Sequence, residues 1–179
     1  MRALGDTAFR RGFTAVELAV GISIAGSVGA VGLVTISREM RRSHVAEAED
    51  GLARLGAAMV ERASRDHGEP VDAPASLTPS TVPRGVTVVD ADDTWMHPTW
   101  RALGDFRASR PGVPHRFAFA LDVVPVADAI RYVGRAHGDL DGDGMVSTFE
   151  IAGVSTKRTP EGRPSFALTP GLWVDAEVE

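Results

Sequence analysis

Hydrophobic and polar positions follow three different patterns along this chain. From Leu18 to Ile36 there is no charged residue. As a helix, the stretch from Phe13 to Ile36 would rise about 36 Å, enough to cross a hydrocarbon core of about 30 Å. Beyond it, Val45, Ala48, Leu52, Leu55 and Met59 step by three and four, which places them on one stripe of a helix. Arg42, Glu47, Glu49, Asp50, Arg54, Glu61 and Arg62 take the other faces, and Gly68 with Pro70 closes the segment. The pattern predicts one long helix, apolar over 13–36 and amphipathic over 37–68.

A period of two takes over after an irregular connection that carries Pro70, Pro74, Pro79 and Pro83. Strand-like runs are predicted at Gly85 to Asp90, Arg116 to Val124, Ala129 to His137, Val146 to Thr156 and Leu172 to Val178. In the second of these, Phe117, Phe119 and Leu121 alternate with Arg116, Ala118 and Ala120, as in a sheet with one covered face. Trp95, Trp100 and Phe106 are expected to pack as core or edge plugs. The expected fold class is α+β: a long N-terminal helix whose amphipathic half lies on a small antiparallel sheet, with residues 69–179 forming the head.

Glu17 interrupts the apolar pattern near its start. An ionisable group at that depth would be costly facing lipid, so it is a functional candidate by default. Just before it stands Gly12-Phe13, preceded by a short leader in which Arg2, Arg10 and Arg11 outnumber Asp6. The arrangement Gly12-Phe13-Thr14-Ala15-Val16-Glu17 at the head of an apolar helix resembles the N-terminus of type IV prepilins and of type II secretion pseudopilins.

That resemblance implies cleavage between Gly12 and Phe13 by a prepilin peptidase and N-methylation of Phe13. Residues 1–12 would then be a cytoplasmic leader, and Glu17 would pair with the Phe13 amino group of a neighbouring subunit during assembly. Two opposite charges meeting in a low-dielectric bundle relieve each other's desolvation. The implied localisation is the bacterial inner membrane as precursor, then a pilus or pseudopilus. Other pilin subunits and the peptidase/methyltransferase are the implied partners.

Two other readings of the N-terminus stay open. An ordinary signal peptide could be cut at Val28-Gly29-Ala30, although its apolar region should be shorter and free of carboxylate. A plain transmembrane anchor accounts for the length but for neither Gly12-Phe13 nor Glu17. Arg38, Arg41 and Arg42 nearly balance the leader arginines, so charge alone does not orient the span. Gly21, Ala25 and Gly29, with Gly26 and Ala30, have the spacing that lets helices approach closely in lipid. No proline interrupts the span where many major pilins carry one; Val34 occupies that region.

Composition narrows the function classes. A formal charge of −5 without a basic cluster beyond the Arg38–Arg42 stretch gives no support to nucleic-acid binding. No cysteine is present, so the disulfide that closes the C-terminal loop of many pilins is excluded. His44, His67, His97, His115 and His137 lack metal-ligand spacing, and no nucleophile elbow or phosphate loop occurs, so no enzymatic activity is expected.

One further motif carries chemistry. The run Asp139-Leu140-Asp141-Gly142-Asp143-Gly144-Met145-Val146-Ser147-Thr148-Phe149-Glu150 places Asp139, Asp141, Asp143, Met145, Ser147 and Glu150 at the ligand positions of an EF-hand calcium loop, with Gly144 at its sharp bend. Oxygen-only ligation makes calcium the expected metal rather than zinc. The flanks read as strands, so a calcium-loaded turn between two strands is predicted, with the role of Glu150 open. An acidic Asp-Gly turn without metal is the competing account.

The expected function is a structural subunit of a type IV pilus or type II secretion pseudopilus, its head stiffened by a calcium turn. The alternative is a monomeric membrane-anchored periplasmic or surface module that binds in a calcium-dependent way.

Overall fold

The architecture was obtained as a computed structural model, which describes residues 14–66, 68–156 and 165–175, without the side chains of 31–42. Helix α1 spans Ala15–Arg65, and the chain divides into two compact units between Met40 and Arg41. In the second unit, strands β1 (Ala75–Thr78), β2 (Ala118–Val126), β3 (Ala129–Gly138), β4 (Ser147–Thr156), β5 (Ser165–Leu168) and β6 (Trp173–Asp175) form one antiparallel sheet. Its order is β1-β2-β3-β4-β5, and β6 also pairs with β4. A short helix, α2 (Pro98–Ala102), precedes β2.

Period two decides which face of the sheet is covered. Phe119 and Leu121 of β2, Tyr132 and Ala136 of β3, and Phe149 of β4 are buried on one face, where Ala48, Leu52, Leu55 and Met59 of α1 join the same core. Full burial of each large side chain contributes on the order of 1.5–3 kcal/mol. The opposite face carries Asp122, Arg135 and Glu150, with Arg135 paired to both carboxylates across three strands. Close approach of α1 to the sheet depends on glycine: a Cβ on Gly134 would lie 2.7 Å from the Leu55 side chain.

Gly51 is the sharpest test of that packing. Alanine is favoured over glycine in a helix by about 1 kcal/mol. A Cβ at Gly51, however, would come within 2.4 Å of the Phe119 ring. Phe119 is itself wedged against Trp95 and Phe106 and has little room to yield. Gly51→Ala is therefore expected to destabilise the head by about 1–3 kcal/mol, the usual cost of overpacking. A lower urea midpoint at unchanged slope would register it.

The aromatic residues before β2 are core. Trp95, Trp100 and Phe106 are almost wholly buried, with ring centroids 5.3–5.8 Å apart. Trp100 donates from Nε1 to Thr78 Oγ1 at 2.9 Å, and Tyr132 donates its hydroxyl to the Val71 carbonyl at 3.1 Å. Burial pushes the Tyr132 phenol up to about 12. These bonds fasten the connection after α1, within which β1 forms although no strand was expected there. The run from Gly85 to Asp90 makes one isolated bridge, Val88 opposite His115, instead of a strand.

The expected fold class needs correction. The sheet is not small: it has six strands, two of which, β1 and β5, were not anticipated. The expected membrane-spanning half of the helix is not supported either, since no helix among the described residues is long and apolar enough to cross a membrane. The apolar stretch of α1 carries Glu17 in its first turn. Gly21, Ser23, Gly26, Ser27 and Gly29 further dilute its apolar content. The expected localisation as an inner-membrane precursor is overturned by the same finding.

Candidate functional sites at the helix start and the β3–β4 turn

Gly12 and Phe13, the predicted processing junction, lie outside the described residues. Glu17 sits in the first turn of α1. Its Oε2 accepts from the Thr14 backbone N–H and from the Thr14 hydroxyl, both at 2.8 Å. Its own N–H donates to Thr14 Oγ1 at 3.2 Å. This reciprocal pattern is a capping box, in which Thr14 and Glu17 satisfy donors that a helix start otherwise leaves orphaned. The signal for this cap is present in the sequence as Thr14-x-x-Glu17. The carboxylate consequently has partners within its own chain.

Residues 15–30 of the helix that follows present exposed apolar side chains. Val16, Leu18, Val20, Ile22, Ile24 and Val28 are each more than half exposed, and nothing lies within 4 Å of a Cβ built on Gly21, Gly26 or Gly29. Its hydroxyls are turned inward: Ser23 donates to the Ala19 carbonyl at 2.9 Å and Ser27 to the Ser23 carbonyl at 2.8 Å.

The second candidate lies between β3 and β4. Asp139, Asp141 and Asp143 each bring one carboxylate oxygen within 4.8 Å of the others. Asp139 is 2% exposed, whereas Asp141 and Asp143 face solvent. Gly142 and Gly144 take φ of 86° and 97°, a left-handed conformation that glycine adopts without Cβ strain. They aim their N–H groups inward, so that Asp139 Oδ1 accepts from Gly142 at 2.7 Å and Oδ2 from Gly144 at 3.1 Å. Asp141 accepts from the Asp143 amide, and Asp143 from the Met145 amide. Behind the turn, Gly85 donates to the Asp139 carbonyl at 2.8 Å.

Of the six predicted ligands, these three aspartates are the ones brought together as a carboxylate cluster. Met145 is largely exposed, and Ser147 is buried at the start of β4 opposite Gly138. Glu150 stands opposite Arg135 and accepts from its Nε. The bond from Glu150, more than any other influence, holds the Arg135 guanidinium above its ordinary value. Because β4 begins at Ser147, successive side chains alternate faces, so Ser147 and Glu150 project from opposite sides of the strand. In an EF-hand, a helical exit brings position 12 back to the ion; an extended exit does not.

The histidines with described side chains take local roles. His137 Nδ1 lies 3.0 Å from Thr148 Oγ1, and burial lowers its imidazole below the ordinary value. His97 caps α2 by accepting from the Thr99 amide. Burial also lowers His44, followed by the nearby charge of Arg116. A fourth, His115, is buried against Asp90, which sequence spacing gave no means of finding because the two are brought together only by the Val88–His115 bridge.

Fold and sites together define a β-rich head with a helix on one face of its sheet, an acidic turn at the β3–β4 junction, and an apolar, internally capped helix start. No protein-family model, curated protein or solved structure matches this chain.

Proposed function

We infer that the chain is a type IV pilin-like subunit, of a pilus or of a type II secretion pseudopilus, that assembles with copies of itself through the start of α1. The observation that carries this reading is the exposed apolar surface of residues 15–30, whose serine hydroxyls are bonded to their own helix. A helix apolar all round is stable when buried among other apolar surfaces. Its role is structural, with cleavage after Gly12 freeing Phe13 for assembly and Glu17 pairing with the Phe13 amine of a neighbouring subunit. The capping box supports this geometry by fixing the Glu17 carboxylate at the very start of the helix. Calcium is the proposed ligand of the Asp139, Asp141 and Asp143 turn, since hard oxygen donors suit it.

Glu17→Ala tests the assembly role. Processing at Gly12-Phe13 should continue, while recovery of the subunit in sheared filaments should drop at least about tenfold, the effect of leaving a charged group without its hydrogen-bond partner. Thr14→Ala, which loses the hydroxyl of the cap but keeps the carboxylate, should assemble much better than Glu17→Ala. Wild-type recovery of Glu17→Ala would remove Glu17 from assembly and reduce it to a helix cap.

A further inference from the structure

Strands β5 and β6 lie end to end along one edge of β4, with a break between them. Leu168 of β5 pairs with Gly153 and Trp173 of β6 pairs with Glu150, so residues 169–172 stand opposite Ile151 and Ala152 alone. The excess chain bulges from the ladder, held by the Thr169 amide donating to the Ala152 carbonyl at 2.8 Å and turned at Gly171, whose φ is 103°. The bulge borders a cleft of about 430 Å³, within the range of small-molecule sites. Residues opposite one another in a sheet, or an even number apart on a strand, share a face. Arg131, Glu150, Ala152 and Trp173 therefore meet at this cleft on the side of the sheet away from α1.

Trp173 is 54% exposed here, whereas Trp95 and Trp100 are core residues. Arg135 takes both Asp122 and Glu150, which leaves Arg131 without a carboxylate partner among the described residues. Glu150 meets Arg135 through Oε1; its second oxygen and the Thr169 hydroxyl make no hydrogen bond among the described residues. We propose that this cleft binds a neutral pyranose ring of a glycan. One face of such a ring carries polarised C–H groups, which the negative face of the Trp173 indole attracts. Its hydroxyls both donate and accept, matching the donors of Arg131, the acceptor of Glu150 and a Thr169 hydroxyl that does either. Ala152, small and on the same face, leaves the floor open. The charged lining is one guanidinium and one carboxylate, so no net charge favours an ion. An apolar peptide would cover Arg131 and Glu150 without satisfying them, which is costly.

The test uses the full chain in a sugar-free detergent, with neutral oligosaccharides of glucose, galactose, mannose or N-acetylglucosamine as probes. Proton–nitrogen NMR spectra should show at least one of them, at millimolar concentration, moving the indole N–H signal of Trp173 and the Nε–H signal of Arg131. The signals of Trp95 and Trp100 should stay in place. Trp173→Ala should weaken binding up to about tenfold, the worth of one aromatic contact, and Trp173→Phe should keep most of it. Arg131→Ala, at an exposed position, should weaken it about tenfold as well, the change expected for a hydrogen bond to a charged group, so the outcome does not hang on one variant. Binding of a neutral ring should also be insensitive to salt. No shift at Trp173 with any of these sugars, unchanged affinity in Trp173→Ala, or binding confined to uronic acids and lost in salt overturns the proposal.

Discussion

Gly12→Asp is expected to leave the chain uncut, so that immunoblots of whole cells show the precursor alone and no mature species beginning at Phe13. A peptidase that accepts glycine before the scissile bond has no room for a branched, charged side chain, and specificity of this steric kind is all or none in a blot. The expectation follows from Gly12-Phe13 standing five residues ahead of Glu17 at the head of an apolar run. Mass spectrometry gives the complementary result in the wild type: a mature chain starting at an N-methylated Phe13. Normal trimming of Gly12→Asp would refute the pilin-like reading.

Calcium is expected to raise the melting temperature of the 41–179 unit by about 10 °C. Binding to the folded state alone stabilises by RT ln(1 + [L]/Kd), about 2.7 kcal/mol at a hundredfold excess over Kd. For a domain of this size that corresponds to a shift on the order of 10 °C. Asp141→Ala with Asp143→Ala should abolish the shift, because it removes two of the three clustered carboxylates while sparing Asp139 and its bonds to Gly142 and Gly144. Glu150→Ala separates the two accounts of that residue. Its carboxylate is engaged by Arg135 on the outer face of the sheet, so the substitution should lower the baseline melting temperature and leave the calcium-dependent increment in place. Equal melting in calcium and in chelator would reduce the turn to one held by aspartate and glycine alone.

Glu17 and Glu150 show why the sites are only partly legible in the sequence. Glu17 stands out as a lone carboxylate at the head of an apolar run, and Glu150 as the last position of the calcium-loop pattern that starts at Asp139. Neither local role followed from charge. Glu17 closes a capping box with Thr14, a pattern of four residues that could have been read. Glu150 faces Arg135 because β4 starts at Ser147, and the start of a strand depends on pairing with β3, which no local pattern reveals. The short strands were missed for the same reason. β1 and β5 have four residues each, too few for alternation to register, and they exist because β2 and β4 offer open edges.

What the sequence determined by itself was local: the stripe Ala48, Leu52, Leu55 and Met59 that enters the core, the alternation that buries Phe119 and Leu121, and the spacing of three aspartates with two glycines at the β3–β4 turn. Each follows from a period set by backbone geometry, and a period is visible in one dimension. Tertiary structure decided the rest. The apolar run at the start of α1 suggests a membrane span, yet among the described residues no helix is long and apolar enough to cross a membrane. The meeting of His115 with Asp90, of Arg135 with Glu150, and of Gly51 with the Phe119 ring joins positions separated by 15 residues or more. Those contacts depend on the registers of β2 and β3 and on the depth at which α1 lies on the sheet, quantities that arise only when the whole head packs.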